Sequence, residues 1–182
     1  MIKRFDRLEN KRVHFASAMT LLEKTDGASA ADGSSYLDIA AFIKSCGAQP
    51  KKDLVELWKR IVFNMAVTNT DDHLRNHAFI FTDKGWVLSP LYDVNPVPYG
   101  DELSLNVDNE DNSISIELAV QTSVKFGIPK PDAETYAEDI LKIVRDNWEK
   151  SANEYGLSRR KIEEMRPAFS LSLIHISEPT RP

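Results

Sequence analysis

The clearest periodic signal in the chain is a run of apolar residues at helical spacing: Leu54, Leu57, Trp58, Ile61, Val62 and Met65. Such a stripe predicts an amphipathic helix after Asp53, apolar enough to lie at the centre of a domain. Before it, "YLDIAAFIKSC" reads as a helix with Ser35 at its N-cap, "SAMTLLEK" as a shorter helix, and "GASAADGSS" as a loop of small residues. After it, "HAFIFTDKGWVLSP" contains two β-rich runs around Asp83-Lys84-Gly85, a hairpin signal. "LYDVNPVPYGDE" carries two prolines and predicts an extended loop. Downstream the pattern is helical again. "SIELAVQTSVKFG" stops at Gly127 as a C-cap. "DAETYAEDILKIVRDNWEKSANEYG" places Tyr136, Ile140, Ile143, Val144 and Trp148 on one face. Ser158 opens a last short helix that stops at Pro167. At the start, "MIKRFDRLENKRVHF" gives an apolar–basic strand, a polar turn and a second short alternating run. The expected architecture is α+β, mostly helical, with one small hairpin.

Composition narrows this further. A chain of 182 residues suits one domain with a sizeable core, and its net charge of −5 argues against nucleic acid or an anionic membrane as the main partner. Cys46 is the only cysteine, which excludes an intrachain disulfide and a cysteine-rich zinc site. No apolar run reaches the ~18 residues of a membrane span, and no signal-peptide pattern opens the chain, so a cytoplasmic location is expected. The end, "LSLIHISEPTRP", differs in composition from the rest and looks like the in-frame translation of a sequencing-library adapter. Residues 171–182 are therefore set aside as non-native, against the rival of a native tail with a short strand, and residues 1–170 are taken as the domain.

The chemistry concentrates in "VTNTDDHLRNHAFIF". Asp71 and Asn76 enclose four residues, the spacing of the catalytic Asp and metal-binding Asn in the kinase loop H-R-D-x-x-x-x-N. The hairpin then returns the chain, so Asp93 of "LYDVNP" can come to lie beside Asn76. Phosphoryl transfer needs such a set: a carboxylate to take the acceptor hydroxyl's proton, and hard oxygen ligands to hold Mg²⁺ against phosphates. Taken singly, each of the three is as readily a turn or capping residue; the order helix, Asp-x₄-Asn, hairpin, Asp carries the signal. Asp72 is one position off this register and is expected to face solvent or cap the turn. A rival reading assigns Asp72, His73 and His77 to a Zn²⁺ or Mn²⁺ hydrolase site. Because "HAFIF" reads as a strand, the two histidine rings are expected to diverge. His73 is then a brace for the loop, and His77 a satisfied histidine at a strand start.

From "KRFDR" to "EEMRPAF", and most specifically in "FNMAVTNTDDHLRNHAFIF…LSPLYDVNP", the chain resembles the HipA-like serine/threonine kinases, toxins of bacterial toxin–antitoxin pairs. The resemblance implies a protein-kinase-like C-lobe with ATP and Mg²⁺ as cofactors. It implies Asp71 as catalytic base, Asn76 and Asp93 as Mg²⁺ ligands, and His73 and Arg75 near the phosphates. "KRFDR" matches the segment linking the lobes, with Lys3 and Phe5 offering backbone groups to adenine and Asp6 near the ribose. It further implies a HipB-like helix-turn-helix antitoxin and a protein substrate with a Ser or Thr acceptor, with neither direct nucleic-acid contact nor a membrane. A family member carries an N-lobe with a phosphate-covering loop and an ATP-binding lysine before "KRFDR". No counterpart precedes Lys3, so a fragment or split protein, inactive alone, is expected. A non-catalytic kinase-like binding module is the alternative.

Overall fold

A computed structural model of the chain describes residues 4–8 and 11–173. Its centre is helix α3 (Pro50–Ala66), in which Leu57, Trp58, Ile61, Val62 and Met65 are fully buried. The helix begins three residues before the expected Asp53, because Pro50 occupies its first turn, where a missing N–H costs nothing. Asp53 has a different task. It is buried, accepts the Leu88 amide at 3.1 Å and the Gln49 side-chain amide at 2.9 Å, and so pins the hairpin to α3.

Around α3 pack helix α2 (Tyr36–Cys46) and helix α5 (Lys130–Glu154), with helix α4 (Ile116–Thr122) between α3 and α5. Ser35 caps α2 as expected: its hydroxyl accepts from Asp38 N while the Asp38 carboxylate accepts from Ser35 N. Trp58 donates its indole N–H to the Ala119 carbonyl at 2.8 Å, which satisfies the one polar atom of that buried ring. After α4 a 3-10 turn (Ser123–Phe126) ends at Gly127, whose φ of +76° provides the left-handed cap.

The sheet is small and antiparallel. Two short strands (Arg7–Leu8, β1; Lys11–Arg12, β2) form a ribbon; β3 (Phe15–Ser17), β4 (Ala78–Thr82) and β5 (Gly85–Leu88) form a three-stranded sheet in that order. The hairpin β4–β5 turns at Asp83-Lys84, as the sequence predicts. β3 leads directly into α1 (Ala18–Leu21), shorter than the expected helix, and Phe79 of β4 is fully buried against the helices.

Two expectations at the C-terminal end need correction. Ile143 is 61% exposed; the stripe that α5 buries is Ala133, Ala137, Leu141, Val144 and Trp148. Helix α6 (Arg159–Met165), capped by Ser158, ends just before Pro167 as expected, but it is not the last element: a 3-10 turn (Arg166–Phe169) leads on into α7 (Ser170–Leu173). Leu171 packs on the core and Ser172 is fully buried, its hydroxyl donating to the Phe169 carbonyl at 2.6 Å. The described structure thus ends at residue 173, and residues 174–182 lie outside the described part. Leu171→Ala is expected to lower unfolding free energy by roughly 1–2 kcal/mol, read as a shifted urea midpoint. Among the described residues no helix is long and apolar enough to cross a membrane.

Candidate functional site

The site begins where α3 ends. Val67 closes the helix, and Thr68 adopts φ +49°, a left-handed turn that redirects the chain. Thr68 is locked in place: its hydroxyl donates to the Ala168 carbonyl at 2.8 Å and its own carbonyl accepts Val97 N at 3.1 Å. The following residues form a closed turn, with His73 N bonded to Asp71 O at 3.1 Å and Asn76 N to His73 O at 2.8 Å. Leu74, the apolar residue within it, is buried and anchors the turn in the core. Asn76 donates its side-chain amide to the Asp71 carbonyl at 3.0 Å. The Asp-x₄-Asn spacing is therefore a contact: Asn76 holds the backbone of Asp71, while its own Oδ1 accepts no hydrogen bond among the described residues. The Asp71 carboxylate is 66% exposed.

Asp93 also sits at positive φ, +56°, which Asp tolerates better than bulkier residues. Its side chain is exposed, and Oδ1 accepts from the Asn95 side-chain amide at 2.9 Å. The extended loop around it is stapled to the Asp71 loop. Tyr92 donates its hydroxyl to the Arg75 carbonyl at 2.6 Å, Asn95 N donates to Asn69 Oδ1 at 3.3 Å, and Gly100 lies against Thr70 so closely that a Cβ would sit 2.4 Å from its methyl. Tyr92 in turn packs on Phe5 of the N-terminal segment, centroids 5.6 Å apart, and Phe5 on Phe15 at 5.5 Å. Asp6 pairs with Arg4, whose hydrogen bond holds its carboxyl below the usual range, and its carbonyl accepts Val13 N. Lys3 lies outside the described residues.

Arg75 forms an ion pair with Asp26 and lies 3.3 Å from His73 Nε2. His73 Nε2 is 3.9 Å from Asp71 Oδ1, while its Nδ1 is buried without a partner. His73, Leu74 and Arg75 also line a pocket whose far wall is Asp26 and Ser29.

Asp72 is where the structure departs most from the sequence reading. It neither faces solvent nor merely caps the turn: it is 1% exposed, and its Oδ2 accepts three hydrogen bonds, from Tyr36 Oη at 2.7 Å, Asn64 Nδ2 at 2.6 Å and His77 Nε2 at 3.0 Å. Burial opposes its charge, but attraction and hydrogen bonding to His77, with the Tyr36 bond, outweigh it and hold the carboxyl below its ordinary value. Burial, and then the Asp72 charge, push the Tyr36 hydroxyl well above its usual value. His77 is satisfied on one side only, since its Nδ1 has no partner. Of the ligand set considered for a metal hydrolase, Asp72 and His77 are engaged in this interior network while His73 lies beside Arg75, and among the described residues no three His, Cys, Asp or Glu side chains converge as a metal site.

A loop leaving a buried helix with an Asp-x₄-Asn turn, a hairpin return and a second acidic loop define a protein-kinase-like C-lobe. The chain belongs to the family of the HipA-like C-terminal domain, whose model matches residues 1–148. It is 24% identical over 193 residues to a Sinorhizobium fredii protein named "Putative kinase Y4mE", covering 99% of this chain and 40% of that protein. It superposes on HipA of the Shewanella oneidensis MR-1 complex of HipA, HipB and operator DNA with a TM-score of 0.77 at 17% identity, covering 94% of this chain and 46% of that one. This second likeness is one of fold. The chain spans less than half the length of both relatives.

Proposed function

We propose that this chain is the catalytic lobe of a HipA-like kinase that transfers the γ-phosphoryl group of ATP to a Ser or Thr hydroxyl of a protein. The observation carrying this reading is the Asn76 side-chain bond to the Asp71 carbonyl, which leaves one exposed carboxylate and one amide oxygen without a hydrogen bond among the described residues on the same rigid turn. Asp71 would take the acceptor hydroxyl's proton as its oxygen attacks the γ-phosphorus and the bond to the β,γ-bridging oxygen breaks, releasing ADP. Asn76, through Oδ1, and Asp93, through Oδ2, which accepts no hydrogen bond among the described residues, would hold Mg²⁺. An all-oxygen pair from the protein fits a hard cation that draws its remaining ligands from water and phosphate. Mg-ATP, when bound, supplies the transferable phosphoryl group and neutralises its charge. Phe5, packed on Tyr92, and Asp6 would border the nucleotide, with Lys3 adding backbone contact; His73 and Arg75 flank the reacting groups. The lengths of the relatives support a further proposal, that a phosphate-covering loop and lysine come from a region outside this chain. The composition of the Shewanella complex supports a HipB-like antitoxin as partner, in a cytoplasmic toxin–antitoxin pair.

Titration of this chain with Mg-ATP tests the reading. Binding is expected to be weak and Mg²⁺-dependent if, as proposed, the phosphate clamp comes from a region outside this chain. Asp93→Asn should reduce it by about tenfold or more, since it removes a charge from the metal's coordination. Tight binding, or binding indifferent to Mg²⁺ and to Asp93→Asn, would overturn it.

A further inference from the structure

The two halves of the candidate site, the Asp71 turn and the Asp93 loop, are joined by a run of hydrogen bonds that is buried from Asp72 through Asn64 and Asn69 and reaches the surface at Asn95 and Asp93. Asp72, next to Asp71, accepts from Asn64 Nδ2 at 2.6 Å; Asn64 Oδ1 accepts from Asn69 Nδ2 at 3.1 Å; Asn69 Oδ1 accepts from Asn95 N at 3.3 Å; and Asn95 Nδ2 donates to Asp93 Oδ1 at 2.9 Å. Asn64 and Asn69 are both fully buried. Asn69 N also bonds to the Asn64 carbonyl at 2.8 Å, so the α3 terminus fixes Asn69 through backbone and side chain alike.

Every polar atom of the two amides in this run has one specified partner, and none is exchangeable with water. Apolar residues would fill the same volume without needing such partners. What the amides add is direction: Asn69 carries the orientation of α3 to the backbone of Asn95, and Asn95 carries it to one oxygen of Asp93. The other Asp93 oxygen is thereby aimed by the same framework that holds Asp71 and Asn76. We infer that Asn69 and Asn95 are positioning residues that set the placement of Asp93 relative to Asn76, and hence the affinity of the divalent-cation site. This rests on the metal-binding role assigned above to Asn76 and Asp93.

The test is a Mn²⁺ titration of the chain itself, followed by paramagnetic broadening of its backbone amide signals, with melting temperature measured on the same samples. In the unsubstituted protein the signals of Asn76 and Asp93 should broaden first. Asn69→Ala and Asn95→Ala should each require roughly tenfold more Mn²⁺ for the same broadening, the loss typical of removing a partner that orients a ligand. Asn95 is exposed, so Asn95→Ala keeps the fold even if Asn69→Ala does not, and it then decides alone. Unchanged Mn²⁺ dependence in the folded variants, with only the melting temperature lowered, would overturn the inference and leave the metal ligands standing. If Mn²⁺ fails to broaden Asn76 and Asp93 in the unsubstituted protein, the ligand assignment falls, and this inference with it.

Discussion

Asp71→Asn, in a protein of the relatives' full length, should lower phosphoryl transfer by about 10²–10⁴-fold and leave Mg-ATP affinity nearly unchanged. The reason is local. The Asp71 carboxylate is 66% exposed, and the hydrogen bonds of its turn that bear on shape go to its backbone carbonyl, from Asn76 Nδ2 and His73 N. An Asn side chain at 71 keeps that turn but cannot take a proton. A KM for ATP within a few-fold of the parent, beside a collapsed kcat, is the expected kinetic signature. The opposite pattern, raised KM with kcat retained, would make Asp71 a binding residue.

Asp72→Ala should act on stability. It leaves three buried donors, on Tyr36, Asn64 and His77, without their common acceptor, and breaking a buried charged network in this way costs about 3–5 kcal/mol. For a chain of this size that is a fall in melting temperature on the order of 10 °C. The pH dependence gives a second readout. Because Asp72 is held below its ordinary value of 3.8, its contribution is fully present above that value and is lost as pH falls through the lower folded one. The parent should therefore lose stability more steeply in acid than Asp72→Ala, and the gap between the two should narrow as pH falls. Equal stability of the two proteins at pH 7 would contradict the hub.

The reach of the sequence follows from the range of the interactions involved. Helix α3 was legible because six apolar residues repeat at its own period, and the hairpin because Asp83-Lys84-Gly85 sits between two β-rich runs. The Asp-x₄-Asn turn was legible for a related reason: Asn76 reaches back only five residues to the Asp71 carbonyl. The role of Asp72 is not legible in the sequence because its three donors lie 36, 8 and 5 residues away, on α2, on α3 and just before β4, and only tertiary packing brings them together. Ile143 was misplaced because α5 buries Ala133 and Ala137, small residues that register weakly beside an isoleucine one position off the stripe. The start of α3 was missed although Pro50 marks it. Asn69 and Asn95 carried no signal beyond their proximity to the acidic residues.

Transfer of phosphate to a protein hydroxyl by way of Asp71 can be measured directly. A protein of the relatives' full length is incubated with γ-³²P-labelled ATP, Mg²⁺ and a cell extract, and the labelled protein is hydrolysed in acid and its phosphoamino acids separated. The account predicts label in phosphoserine or phosphothreonine with the parent protein and none above background with Asp71→Asn. Label released only as inorganic phosphate, or incorporation that survives Asp71→Asn, would contradict it.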